Sequence, residues 1–143
     1  MERVSKVLTR NDTGETHSHQ SGITIPIRVA ETSIFPWLGI EKLNPRVDIT
    51  FFDENGKMWT FQYIYYNDLY FGKPKGKAHD EHRMTCVREY IKENDIKSGD
   101  TVWFSIDDNG VRHIGFIKVS TLEEEKVEKI VIKIGHGWKY VKM

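Results

Sequence analysis

The sequence predicts a mainly β, barrel-like domain with one or two short helices. Three observations carry this. Six or more short stretches alternate apolar and polar residues with period two. Two pairs of these stretches meet at Asn-Gly turns, the strongest short hairpin signal. Helical spacing is confined to one or two short windows, which together with the strands suggests a barrel-like β fold. At 143 residues the chain is expected to be a single domain, residues 1–143, with enough length to bury a real core.

The elements follow in order. Lys6-Val7-Leu8-Thr9 reads as a short first strand, and Arg10 to Gly22 (RNDTGETHSHQSG) as a polar loop. Ile23-Thr24-Ile25 alternates before Pro26. Val29 to Leu38 holds a short helix, with Ile34, Phe35, Trp37 and Leu38 as core anchors. Val47 to Phe51 and Met58 to Tyr66 form a hairpin about Asp53-Glu54-Asn55-Gly56. Asn67 to Asp80 is a second long polar loop, rich in lysine. Val87, Tyr90 and Ile91 have helical spacing, so Arg88 to Asn94 reads as a helix. Val102 to Ile106 and Gly115 to Val119 flank a second hairpin turn, Asp107 to Gly110, and Ile130 to Ile134 is a last strand.

Composition excludes several classes. Lys plus Arg and Asp plus Glu each number 21, so formal net charge is zero and any nucleic-acid affinity must come from local charge. The one cysteine, Cys86, can form neither an internal disulfide nor a thiolate zinc site alone, which fits a reducing compartment. The N-terminal stretch lacks the apolar core of a signal peptide, and no apolar run approaches the ~18 to 20 residues of a membrane span. A cytoplasmic protein without a membrane partner is expected, either complete or one domain of a longer chain.

The two polar loops carry the candidate site. Long loops without structure of their own are uncommon in compact domains and often functional. The first offers Arg10, Asn11, His17, Ser18, His19 and Gln20; the second offers Lys73, Lys75, Lys77, Asp80, Glu81, His82 and Arg83. Arg and Lys donate to guanine O6 and N7, Asn and Gln pair with adenine, and a carboxylate accepts from cytosine N4. Glu81 and Arg83 lie two apart, so an extended segment points both the same way. Phosphate would repel Glu81, so a carboxylate here favours base edges over backbone. Alternating lysines at 73, 75 and 77 suit a backbone clamp. His17 and His19 lack a third ligand in view and read as surface residues; neither metal nor other cofactor is expected.

Three stretches resemble a known family. LTRNDTGETHSHQSGITIP (Leu8 to Pro26), KLNPRVDIT (Lys42 to Thr50), and YYND with FGK and then DEHRMT (Tyr65 to Thr85) resemble, in order and spacing, the N-terminal effector-binding domain of EcoRII-type restriction endonucleases. That resemblance spans roughly residues 5 to 90. VREYIKENDIKSGDTVWFSI (Val87 to Ile106) is similar to plant transcription-factor domains of the auxin-response type. The resemblance implies the DNA-binding pseudobarrel fold, whose two arms enter the major groove like the jaws of a wrench. It implies DNA contacts at His19, Lys73, Glu81, His82 and Arg83, with Lys75 as a further basic position. It also implies a CCWGG-like target, double-stranded DNA as partner, and a catalytic domain elsewhere in the parent chain. Thr24 stands where the family has an aromatic DNA contact, and the second arm is longer here across Pro74 to His79.

Two other classes stay open. Glu124, Glu125 and Lys126, with Asp107 or Asp108 upstream, match the letters of a Mg²⁺-dependent nuclease, but the Glu-Glu-Lys lies within the charge run LEEEKVEK, whose ordinary role is a solvated surface. The chain alone is therefore not expected to be an enzyme. A protein-interaction β domain is the third class, and it predicts no salt-dependent DNA binding.

Overall fold

A computed structural model describes residues 1–16, 22–74, 76–121 and 130–142. Among these, nine strands form one curled sheet. They are β1 (Glu2–Val7), β2 (Ile23–Ile25), β3 (Arg46–Phe52), β4 (Met58–Tyr66), β5 (Glu81–Thr85), β6 (Thr101–Ile106), β7 (Arg112–Ile117), β8 (Ile130–Gly135) and β9 (Trp138–Lys142). Their spatial order is β2-β5-β4-β3-β7-β6-β1-β9-β8. All pairings are antiparallel except one parallel bridge, Phe52 to His113, where β3 meets β7. The described residues also form three short α-helices, α1 (Arg10–Thr13), α2 (Ile27–Ala30) and α3 (Arg88–Glu93). This is the open pseudobarrel architecture.

The two hairpin turns are built alike. Asp53 Oδ1 accepts from the backbone N–H of Asn55 and Lys57, and Asp107 Oδ1 from those of Asn109 and Val111. The second oxygen then reaches the returning strand: Asp53 Oδ2 accepts from Trp59 Nε1 at 2.9 Å, and Asp107 Oδ2 meets His113 Nε2 at 2.9 Å. Each Asp closes its turn and fixes strand register. Both carboxyls are accordingly held below the usual range, chiefly by the Trp59 and His113 hydrogen bonds.

The core is aromatic. Phe35 stacks on Tyr63 at 5.1 Å, and Phe51 meets Phe104 at 5.3 Å. Trp59 packs edge-on to Tyr90, so α3 is held by an aromatic contact across the barrel wall.

Four expectations change. The first strand is Glu2–Val7 rather than residues 6 to 9, because β1 pairs on both sides, with β6 and β9. The helix expected over residues 29 to 38 is a single turn, Ile27–Ala30. Phe35 precedes Pro36, whose ring disfavours helical backbone before it. Ile34 and Phe35 are buried as expected, but Trp37 is 62% exposed. His136-Gly137 is the turn into an additional strand, β9, whose Trp138 is buried in the core.

Candidate nucleic-acid interface

The two polar loops feed adjacent strands. The first enters β2 and the second enters β5, and β2 pairs with β5 in the register Ile23↔Met84, Thr24↔Arg83, Ile25↔His82. Because the strands run antiparallel, the loops join this ribbon at opposite ends. The ribbon therefore lies between the roots of two arms. Its pleat sorts side chains by face. Ile23, Ile25, His82 and Met84 are buried; Thr24, Glu81 and Arg83 share the other face.

That outer face holds a hydrogen-bonded trio. Arg83 Nη2 donates to Glu81 Oε1 at 3.0 Å, and Thr24 Oγ1 donates to the same oxygen at 3.0 Å. The side chains of Glu81 and Arg83 are 31% and 13% exposed, so the pair is held against the sheet rather than waving in solvent. The expected Glu-x-Arg pairing is thus present as a geometry, with Thr24 as its third member.

His82 is corrected. Period-two alternation sends it inward, where it is 2% exposed. Its ring lies flat on Tyr65, centroids 4.1 Å apart, and its Nδ1 meets the Tyr63 hydroxyl at 3.1 Å. Burial lowers its pKa, with Asp80 opposing. His82 supports the ribbon from below and does not face the space between the arms. Asp80 caps the same stack: it accepts from the Tyr65 hydroxyl at 2.5 Å and the Tyr70 hydroxyl at 3.5 Å.

The root of the first arm is a helical turn rather than featureless loop. Thr9 and Asp12 form a reciprocal capping box that starts α1, and Gly14 ends it in the left-handed conformation. Asp12 also accepts from buried Lys6 Nζ at 2.5 Å. Glu15 Oε1 accepts from Ser98 N–H at 3.1 Å, and Gly99 N–H donates to Leu8 O at 2.8 Å, so the Ser98-Gly99-Asp100 turn braces this root. Arg10 and Asn11 are exposed on the turn, Arg10 within 3.7 Å of Glu15 and Asn11 accepting from Thr16. His17, Ser18, His19 and Gln20 lie outside the described residues. The arm rejoins the sheet at Gly22, with φ +131°, where a Cβ would stand 2.8 Å from Met84 O. Only glycine allows that close entry.

The second arm starts with a 3-10 turn, Asp68–Phe71, and closes on Asp68. This carboxylate is 5% exposed; it accepts from the His79 backbone N–H, meets His79 Nδ1 at 3.0 Å and accepts from Lys73 Nζ at 2.9 Å. These contacts hold its carboxyl well below the ordinary range, the His79 backbone bond first. Beneath it, fully buried Asn67 accepts from Asn44 N–H and donates to Gly39 O and Lys42 O, tying in the 39–44 loop. Lys73 is thus paired at the arm's base, Lys77 is exposed further out, and Lys75 lies outside the described residues.

Of the nuclease letters, the structure describes only Asp107 and Asp108. Glu124 to Lys126 lie outside the described residues, Asp107 has both oxygens engaged in its turn, and Asp108 is a 93% exposed partner of the N-terminus. Among the described residues no three His, Cys, Asp or Glu side chains converge as a metal set, and no helix is long and apolar enough to cross a membrane.

With this geometry in hand, comparison with known proteins decides the family. The family described as restriction endonuclease EcoRII, N-terminal, matches residues 3–135. The chain belongs to the EcoRII N-terminal family. The match runs well past the motifs quoted above, through β6, β7 and β8. Auxin response factor 3 of Oryza sativa subsp. japonica is 30% identical over 124 residues, 87% of this chain and 15% of that protein. Auxin response factor 3 of Arabidopsis thaliana is 30% identical over 118 residues, 82% of this chain and 17% of that protein. The chain therefore spans about a sixth of the length of these plant relatives. The likeness extends far beyond the Val87 to Ile106 stretch. Among solved structures, the Arabidopsis FUS3–DNA complex superposes with a TM-score of 0.58 at 20% identity, covering 80% of this chain and 94% of that one. The EcoRII N-terminal chain thus shares a pseudobarrel fold with it.

Sequence reasoning puts Glu81 and Arg83 on one face but misses the groups that hold them. Thr24, Asp68 and Asn67 are the main omissions. The signal was available: Asn67-Asp68 sits in YYND and Thr24 lies between two inward isoleucines.

Proposed function

We propose that this chain is a sequence-specific double-stranded DNA-binding domain whose two arms flank a base-reading ribbon. The observation that carries the proposal is the outer face of β2–β5, where Glu81 and Arg83 are presented side by side between the two arm roots. An arginine donates to guanine O6 and N7 while a neighbouring carboxylate accepts from cytosine N4. Adjacent C:G pairs, as in a CCWGG-like site, suit that pairing. Family membership and the DNA complex of a protein with the same fold support the reading. Arg10, Asn11, His17, Ser18, His19 and Gln20 would belong to one jaw, and Lys73, Lys75, Lys77 and Asp80 to the other. The parent protein would be a type II restriction endonuclease with catalysis in another domain.

Binding-site selection from a random duplex pool tests this directly. A CCWGG-containing motif is the expected product, with affinity falling steeply as salt rises. Enrichment of no motif, or equal binding to a CCWGG duplex and a scrambled one, removes the specific-site claim. Arg83→Ala is expected to cost about 1–3 kcal/mol of binding and relax preference at one base pair. A uniform loss across all sequences would place Arg83 on phosphate instead.

A further inference from the structure

We infer that Thr24 is a positioning residue for specificity, and that it makes Glu81 a one-oxygen reader of an exocyclic base amine. This rests on the DNA-reading function proposed above and adds how the reading group is aimed. A glutamate side chain has three rotatable bonds and turns freely at an ordinary surface. Here Oε1 accepts two bonds, from Thr24 Oγ1 and Arg83 Nη2, each 3.0 Å. A carboxylate oxygen offers about two lone-pair directions, so two donors fill it. Among the described residues Oε2 accepts no hydrogen bond. The carboxylate is therefore held at one oxygen and offers the other as its acceptor.

The register explains why Thr24 can do this. It pairs directly with Arg83 across the ribbon, and Glu81 is its diagonal neighbour on the same face. The two donors thus reach Oε1 from different strands. Pinning from one strand alone would leave the carboxylate free to swing about the Arg83 contact.

The chemical consequence is discrimination between amino and keto edges in the major groove. Cytosine N4 and adenine N6 donate; thymine O4 and guanine O6 only accept and are repelled by a carboxylate oxygen. A fixed Oε2 therefore selects an amine-bearing base beside the guanine that Arg83 favours. A mobile carboxylate could turn away from a keto oxygen and tolerate it. Thr24 acts through Glu81 in setting this penalty and needs no contact with DNA.

The test uses the whole chain in four forms: unaltered, Thr24→Val, Thr24→Ser and Glu81→Gln. Valine keeps the β-branched shape on an exposed strand and removes only the donor. Each form is put through selection with a randomised duplex pool, and melting temperature is recorded. The unaltered chain should enrich a motif with one amine-bearing position. Replacing that base with a 2-pyrimidinone analogue, which lacks the amine, should then weaken binding by about fivefold or more. Thr24→Val should lose most of this penalty and accept a keto base there, while other motif positions and the melting temperature hold. Thr24→Ser should behave as the unaltered chain. If Thr24→Val keeps the full penalty while Glu81→Gln loses it, Thr24 does not aim Glu81 and the inference falls, with DNA reading intact. If preference drops equally at every position, Thr24 has a general structural role and the inference also falls. If the unaltered chain enriches nothing, the underlying function fails first.

Discussion

The two arm roots solve one problem in two ways. Each is fastened by a carboxylate that is almost fully buried, Asp12 in the first and Asp68 in the second. Asp12 pairs with Lys6, which is buried as well, so the first root is locked from inside the barrel. Asp68 pairs with Lys73 and His79, each about half exposed, so the second root is locked from its solvent side. The first can loosen only by breaking the barrel wall. The contacts that close the second lie outside the sheet, so breaking them is expected to leave the strands paired.

The largest expected effect comes from breaking the inner lock. Asp12→Ala leaves Lys6 charged, buried and unpaired, which typically costs about 3–5 kcal/mol. It also removes the Asp12 half of the capping box, the carboxylate that accepts from the Thr9 N–H, while Thr9 still caps α1. Chemical denaturation should show this as a lower midpoint for the whole domain. The double change Lys6→Met with Asp12→Leu should recover part of the loss, because an apolar pair removes the stranded charge. If Asp12→Ala alters only the first arm and leaves global stability unchanged, the inner lock is not part of the barrel wall.

The outer lock should respond to pH and only locally. Folding lowers the Asp68 pKa, so its contribution is complete above the ordinary carboxylate value near 3.8 and is lost as pH falls below it. Protection against amide exchange in residues 76 to 80, taken relative to the intrinsic rates at each pH, should therefore fall on acidification before that of the core strands. Asp68→Asn should show fast exchange there at neutral pH and little further change in acid. Equal acid sensitivity in both proteins would mean that other groups close the arm.

Much of this contrast is written in the sequence, but at different depths. The strands of the two hairpins announce themselves, since alternation and Asn-Gly turns are local signals. So is the Glu81–Arg83 pairing, because period two alone puts them on one face. The same rule places His82 on the opposite face, and a family resemblance that implies a DNA contact there obscures it. The locks are harder to see. Lys6 with Asp12, and Asp68 with Lys73, look like ordinary surface charges until the sheet shows which side chains turn inward. Strand β9 is least legible, since Trp138 reaches the core through the pairing of β9 with β1 and β8 and its stacking on Phe104. Residues 42 to 50 and 65 to 68 carry the family resemblance largely through scaffold: Asn44, Asn67 and Asp68 hold the second arm in place.

The smallest effect separates the two lysines of the second arm that the structure describes. Lys73 is held by Asp68, whereas the Lys77 side chain makes no hydrogen bond or ion pair among the described residues and lies further out on the arm. A lysine that touches phosphate releases counterion on binding, so its removal reduces the salt dependence by about one unit of slope. Lys77→Ala should lower affinity for every duplex alike, shift the slope by about that amount, and leave the selected motif unchanged. Lys73→Ala should instead loosen the arm, because it removes one of the donors to Asp68. Its signature is faster amide exchange in the free protein. Measuring binding across a salt series alongside exchange in the free chain distinguishes them. If Lys73→Ala changes only the salt slope and Lys77→Ala only the exchange, the outer lock has been assigned to the wrong lysine.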